Sequence, residues 1–555
     1  MKAPADVIAR RLKTIRSKEE EERAKREAAA RGFEYLDLRV WPADREALAS
    51  LPEPQARKAR AVVIRKIGKT IWLGAADFTN THTAKLVENL KKQGRRLTFV
   101  LLSPASLKRA LAIYKELPAA EVAAITGGVN VDEARVQGFS KKIQSLDQLK
   151  TALPETFGGV TSSLLELLLA AGLNLEASDI HFEMTGQAAL ARVRIDGILH
   201  DVQELPDQTA RALVRRLKLL AGMKLNVTTK PQDGRFSFVF GESAIELRAS
   251  VIPGEYGEDA VLRLLDPRTI ALDLGDLGVR PDLLEQILGA VREPQGMIVT
   301  TGPTGSGKTT ALYAFVRKVA SPEIKVITIE DPIEYHLEAI TQTQVDQARG
   351  YTFAAALRSA LRQDPDVILV GEIRDRETAE TALAAALTGH LVFSTLHTND
   401  AVGAVPRLVD LGVKPETIAP ALSLVLAQRL TRRLCQHCRV SYRPEDRELA
   451  LLKKDLAGVP AALLGDRLSA VPTLFRARGC KMCLDGYKGR IAIFEGFFVN
   501  ETIQRLILKA PPQPELREAA LKAGMVPLRQ DGLLRVLDGI TTLEEVQRVV
   551  GRAEV

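Results

Sequence analysis

Residues 301–310 read Thr-Gly-Pro-Thr-Gly-Ser-Gly-Lys-Thr-Thr, and the reading of this stretch decides the fold. Gly302, four residues, then Gly307, Lys308 and Thr309 complete the phosphate-loop pattern. The glycines let successive backbone N–H groups turn inward onto a triphosphate, where a side chain would block the approach. Gly302, Pro303, Thr304, Gly305, Ser306, Gly307, Lys308, Thr309 and Thr310 are therefore candidate nucleotide contacts. Lys308 supplies a point charge for the β- and γ-phosphates, and the Thr309 hydroxyl is the expected Mg²⁺ ligand. The flanks agree: residues 296–300 (GMIVT) read as a short buried strand. Residues 311–316 (ALYAFV) read as a helix whose N-terminus faces the phosphates.

Further along, residues 325–329 (KVITI) predict a strand ending on Glu330, Asp331 and Glu334. Carboxylates just past the carboxyl end of a parallel strand sit where such sheets bind ligands, so Glu330 and Asp331 join the candidate nucleotide contacts. Residues 366–370 (DVILV) form a second candidate strand, resembling a Walker B element with one departure. The position after the apolar run, often a metal-supporting Asp, is Gly371, and the carboxylate follows as Glu372. Metal support through water is the expectation there. His390 and His397, seven residues apart at the two ends of a third apolar run, cannot form a helical metal pair and are candidates for sensing the γ-phosphate. Hydrolysis needs a base that orients water, for which Glu334 is the candidate, with Glu372 for metal support. A purely structural role for one of the two carboxylates stays open.

A chain of 555 residues is too long for one core, and three to five domains are expected. The net charge of +8 spread over that length is a solvated surface rather than a polyanion-binding field. No apolar run approaches the roughly 18 residues that span a bilayer. The N-terminus, MKAPADVIARRLK, lacks an apolar signal core, so a cytosolic protein is expected that meets membranes only through partners. The four cysteines are Cys435, Cys438, Cys480 and Cys483, two CxxC pairs. In a reducing compartment these suggest a tetrahedral Zn²⁺ site, although the gap between the pairs exceeds that of common ribbons and leaves a redox pair or plain thiols open. His437, inside the first pair, is a substitute ligand or a turn residue.

The domain reading follows these cues. Residues 1–30 are a charged helical arm, solvated or used for docking, and 31–117 a small α/β domain. Residues 118–157 read as a linker. Residues 158–272 form a second domain opening on an amphipathic helix, with Asp-Gly hairpin turns at 196–197 and 233–234. Residues 273–430 hold the phosphate loop, 431–495 the cysteines, and 496–555 a helical tail.

Taken in order, GPTGSGKTT (302–310), TIEDPIEY (328–335), LRQDPDVILVGEIRD (361–375), TGHLVFSTLHTND (388–400) and RGCKMCLDGYKGR (478–490) resemble the secretion ATPase superfamily, in particular the type IV pilus assembly and type II secretion ATPases. SDIHFE (178–183), RIDG (194–197), PQDGR (231–235) and GEDAVLRLLD (257–266) extend the likeness. The resemblance implies an α/β, RecA-like P-loop domain preceded by a PAS-like α+β domain and a small N-terminal α/β domain, with a zinc-binding insertion. It implies a hexameric ring of ATPase subunits using ATP and Mg²⁺, with Zn²⁺ on the four cysteines, acting on an inner-membrane platform protein. Arg235, Arg248 and Arg263 are the arginines it implies at the phosphates. The insertion argues against the retraction motors of the superfamily, and no cyclic di-GMP repeat is visible in residues 1–150.

Two other classes fare worse. A nucleic-acid translocase would interleave aromatic and basic residues, but only 5% of residues are aromatic, so no nucleic acid is expected. An ATP-gated scaffold without turnover is argued against by Lys308, Glu334 and Glu372. Pilus extension and pseudopilus-driven export are not separable by motif; the resemblance favours the pilus.

Overall fold

The computed structural model describes residues 20–551 except 32, 39–46, 49–50, 52, 68–69, 93–95, 115–130, 242, 267–272 and 338. The chain divides into two compact units, Met1–Asn130 (with Gly222–Lys224) and Val131–Ala221 with Leu225–Val555.

In the first unit, strands β1 (Glu34–Tyr35), β2 (Ala61–Ile67), β3 (Thr70–Ala75) and β4 (Arg96–Leu101) form a mixed sheet in the order β1-β4-β3-β2. Helices Glu53–Ala59, Thr81–Lys92 and Pro104–Ile113 complete it, with Val62, Leu73, Val100 and Leu107 in the core. Residues 20–31 are helical, and there the arm is not simply solvated: Glu21 is buried and accepts hydrogen bonds from Tyr35 (2.7 Å) and Ser106 (2.8 Å). Residues 1–19 of the arm lie outside the described residues.

The linker reading of 118–157 is corrected over its described part. Helices Glu133–Lys142 and Leu146–Ala152 each begin on a side-chain cap, from Asp132 and Ser145. They pack on the next helix, Thr161–Asn174, through Asp132 N to Glu166 (3.0 Å) and Asn174 to the Ser140 carbonyl (2.5 Å). Polar composition concealed them because their apolar faces are narrow. The Thr161–Asn174 helix is in turn buried from Leu164 to Leu173, not amphipathic, since elements cover it on both sides.

Six antiparallel strands follow: β5 (Ala177–Met184), β6 (Ala188–Ile195), β7 (Ile198–Pro206), β8 (Gln232–Phe240), β9 (Ser243–Pro253) and β10 (Glu258–Leu265), in the order β7-β6-β5-β10-β9-β8. Asp196 and Gly197, at φ 49° and 83°, make the β6–β7 hairpin turn. The second Asp-Gly pair is a correction: Asp233 and Gly234 lie inside β8, paired with Ser250 and Ala249. Glycine is required there by a close approach, since a Cβ would fall 2.2 Å from the Ala221 carbonyl oxygen.

The larger sheet contains β11 (Gly296–Thr301), β12 (Val326–Glu330), β13 (Thr341–Gln344), β14 (Val367–Val370), β15 (Leu391–Leu396) and β16 (Leu422–Leu434). Beyond the short β17 (Val440–Tyr442) and β18 (Leu474–Arg476), the seventh strand is β19 (Tyr487–Phe498). The order is β13-β12-β14-β15-β11-β16-β19, parallel except for the β16–β19 pair. Both faces are covered, which is why β11, β14 and β15 read as unbroken apolar runs. Along β11, Met297 and Val299 enter one core while Ile298 enters the other.

Candidate functional site

The phosphate loop leaves the carboxyl end of β11, where β15 lies on one side and β16 on the other. Its cradle is built by glycine geometry. Gly302 sits at φ 151°, and a Cβ there would meet Ser306 Oγ at 2.6 Å and the Gln428 carbonyl oxygen at 2.7 Å. Gly307, at φ 86°, caps the helix Lys308–Val319. Lys308 is buried and donates to the carbonyls of Gly302 (2.7 Å) and Pro303 (3.0 Å). Burial, and then the neighbouring Arg429, push its ammonium down to about 8. Among the described residues no carboxylate lies within ion-pair reach of Lys308, and buried Ser306 Oγ has no partner. A buried cation that touches no carboxylate, beside a cradle that a Cβ would fill, fits the triphosphate that the loop pattern implies. Thr309 is exposed at the helix start, where its hydroxyl would hold the Mg²⁺ that the loop pattern implies.

The carboxylates take different positions. Glu330, at the end of β12, is buried and accepts from Tyr313, from Thr328 (2.5 Å) and from Gln342 (3.2 Å). That network commits both of its oxygens, so Glu330 braces β12 and the loop-following helix instead of pointing at phosphate. Asp331 lines an open cleft with Arg235, Gln344 and Asp346. Glu372 pairs with Arg374 (2.7 Å) and with His397 Nε2 (3.4 Å), and it helps hold the charge on Lys308. Gly371, the departure from the usual Walker B pattern, has its N–H on Ile329 O (2.8 Å) and its carbonyl on Thr395 Oγ1 (2.7 Å). A residue locked between two strands presents nothing to a metal, and the carboxylate is displaced to the next position.

The two histidines part company. His397 follows the carboxyl end of β15, against Glu372. His390 precedes its amino end, where its carbonyl accepts from Gly296 N and its Nδ1 meets Ala385 O at 3.0 Å. Gly296 opens β11 while the phosphate loop follows its far end, about 20 Å away at the usual strand rise. The reading of His390 as a γ-phosphate sensor in its own subunit is thereby corrected: both ends of a buried strand look alike in sequence, but only one faces the ligand.

Arg235, Arg248 and Arg263 are cross-strand neighbours on β8, β9 and β10. They line one cavity of about 530 Å³ with Pro332 and Gln344. Arg248 reaches the segment after β12, donating to Glu334 (3.1 Å) and to the Ile333 carbonyl (2.8 Å). Within the subunit, then, Glu334 is held by an arginine of the preceding sheet.

Two residues escaped the motif reading. Arg429 on β16 is 9% exposed and donates to the carbonyls of Gln428 (3.0 Å) and Asn399 (2.6 Å). Its guanidinium lies 3.0 Å from where a Gly302 Cβ would be. Gln428 Nε2 lies 2.8 Å from the corresponding point at Gly307. The available signal was a Gln-Arg pair interrupting the apolar run LSLVLAQRL (422–430).

The four cysteines are brought together by the β16–β19 register, which places Leu434, just before Cys435, opposite Tyr487. All four are free thiols whose sulfurs lie within 4.8 Å of one another. Sγ separations are 3.9 Å (Cys435–Cys480), 3.6 Å (Cys438–Cys483) and 3.5 Å (Cys480–Cys483). A tetrahedron with metal–sulfur bonds of about 2.3 Å has edges of about 3.8 Å, so the thiolate set fits Zn²⁺. The long gap is explained by what fills it: helices Asp446–Asp455 and Ala461–Leu464 and the β17–β18 pair. His437 does not belong to the metal-holding group.

Comparisons with known proteins give the family. The family model described as type II/IV secretion system protein matches residues 158–548, and the MshEN domain matches 31–120. The chain is 36% identical to the type IV pilus assembly ATPase PilB of Myxococcus xanthus, over 93% of this chain and 88% of that protein. It is 41% identical to type II secretion system protein E of Pseudomonas aeruginosa, over 89% of this chain and 94% of that one. The ATPase DotB of Legionella pneumophila superposes with a TM-score of 0.50 at 22% identity, covering 69% of this chain and 94% of that one, a likeness of fold. With a phosphate loop, a displaced Walker B carboxylate and relatives of this kind along most of its length, the chain is an ATPase and belongs to the type II/IV secretion system protein family.

Proposed function

We propose that the chain is the subunit of a hexameric motor that hydrolyses ATP with Mg²⁺ and drives type IV pilus assembly through an inner-membrane platform protein. The observation that carries this reading is Arg248 on Glu334: the sheet that precedes the ATPase core grips the segment bearing the candidate base. A nucleotide that recruits either partner shifts the preference between two arrangements of the lobes, and that differential affinity is the source of work. Lys308 holds the β- and γ-phosphates, Thr309 and Glu372 support the metal, Glu334 orients water, and His397 fixes Glu372. The metal supplies charge neutralisation at the phosphates. Arg235, Arg248 and Arg263 neutralise charge that develops at the γ-phosphate of their own or an adjoining subunit. Zn²⁺ on Cys435, Cys438, Cys480 and Cys483 staples the β16–β19 end. No described helix is long and apolar enough to cross a membrane, and the motor works from the cytoplasmic side, held there by its partners.

The second reading, pseudopilus assembly for protein export, is supported by the 41% identity to a type II secretion protein. Deleting the gene decides between them: loss of surface filaments supports the first, loss of exported enzymes with filaments intact the second. Absence of phosphate release by the full-length chain with Mg²⁺ would overturn both.

A further inference from the structure

Two of the quoted motifs, SDIHFE and RIDG, have no part in the site as described so far. The strand register gives them one. Arg235 pairs with Arg248, Arg248 with Arg263, Arg263 with Asp179, and Asp179 with Arg194. One transverse row across β8, β9, β10, β5 and β6 therefore carries four arginines and a single aspartate. Directly opposed like charges destabilise a sheet, so the Arg235–Arg248 and Arg248–Arg263 pairs do not serve its stability. Asp179 is the counter-charge within it. It is 5% exposed, and it accepts from Arg263 Nε at 2.9 Å and from Ser178 Oγ at 2.8 Å. Arg194 Nε lies 3.5 Å away on its other oxygen. Arg263 is otherwise half exposed on the cavity it shares with Arg235 and Arg248, and has no other carboxylate within ion-pair reach among the described residues. A long side chain that is free at its tip is fixed in direction only by what holds its base.

We infer that Asp179 is a positioning residue for hydrolysis: it aims the Arg263 guanidinium along the row so that Arg263 acts together with Arg248 and Arg235. This rests on the reading that the three arginines meet phosphate. Arg194, 3.5 Å from the far oxygen, braces Asp179 from the β6 side.

The test is turnover by the full-length chain with Mg²⁺ and ATP. Asp179→Asn is expected to lower kcat about ten- to hundredfold, as an ångström-scale misaim does, with KM for ATP within about twofold. In a double-mutant cycle with Arg263→Gln the effects should fail to multiply, whereas with Arg235→Gln they should multiply more nearly. If Asp179→Asn does not fold, Asp179→Glu serves: it keeps the charge but moves the guanidinium by a methylene, and should lower kcat with unchanged ATP binding. Normal turnover in either Asp179 variant, or fully multiplicative effects with Arg263→Gln, would overturn the inference. Arg248→Gln and Arg235→Gln run beside it: if they leave kcat unchanged, the arginine reading itself fails, and if they lower it while Asp179→Asn does not, only the role of Asp179 is lost.

Discussion

Gly302→Ala perturbs the phosphate cradle at its tightest point. Alanine at φ 151° is strained by about 1–3 kcal/mol. Its methyl would lie 2.6 Å from Ser306 Oγ, 2.7 Å from the Gln428 carbonyl oxygen and 3.0 Å from Arg429. The serine rotor can move away, but the carbonyl belongs to β16 in the sheet interior and cannot. Residues 303–305 are exposed, so the free loop escapes by swinging outward, and nucleotide binding must then force it back. The penalty therefore falls on binding and not on the fold. Taking about 2 kcal/mol as a lower figure, the Kd for ATP rises about thirtyfold or more. Gly305→Ala is the internal control: Gly305 is at φ 78° with nothing within 4 Å of its Cβ position, and only the left-handed strain of about 1 kcal/mol, about fivefold in Kd, applies. Titration calorimetry on the full-length variants measures both, with melting curves alongside. An ATP Kd for Gly302→Ala within about threefold of the parent, or equal losses for the two variants, would refute the argument from β16. So would a collapsed melting temperature with normal affinity.

Glu545 is 1% exposed, and burial raises its carboxyl, but hydrogen bonds from Arg548 and Arg432 outweigh this and bring it to about 2. A folded value below the ordinary 4.5 means stability present above about 4.5 and lost as pH falls toward 2. The gap amounts to about 3 kcal/mol. Glu545→Gln should cost much of that at pH 7 and nothing near pH 2, read as exchange protection of Leu543–Val550; an equal cost at both pH values would contradict it. Removing metal with a strong chelator, or replacing Cys435 by Ser, should loosen the β16–β19 end before the sheet core, so that proteolysis within 436–486 precedes global melting; an unchanged cleavage pattern would count against a structural metal. Glu334→Gln should retain ATP binding while lowering turnover about a hundredfold or more, and normal phosphate release would remove Glu334 from the role of base. Lys308→Ala should abolish detectable ATP binding, which filter retention of labelled nucleotide would check.

Much of the site was legible because its chemistry is local. The phosphate loop, the acidic segment after β12 and the carboxylate after β14 each occupy about ten contiguous residues, and strand, turn and helix propensities act over that length. The cysteine pairs are equally local, and their long separation did not matter once an antiparallel strand pair joined their ends. What escaped was non-local. Asp233-Gly234 read as a turn, yet it lies mid-strand because the Ala221 carbonyl passes too close for any side chain. Residues 133–152 read as a linker, since only their packing on Thr161–Asn174 reveals a buried face.

Residue order by itself determined that the chain carries a nucleotide cradle on a parallel sheet and two thiol pairs suited to one metal. Tertiary structure alone decided which end of β15 faces the cradle, so that His397 meets Glu372 and His390 does not. It also decided that Arg429 stands behind Gly302 and that four arginines and Asp179 share one row. The physical reason is strand pairing: register is set by which strands become neighbours, a choice made between segments tens of residues apart and written in no single one of them.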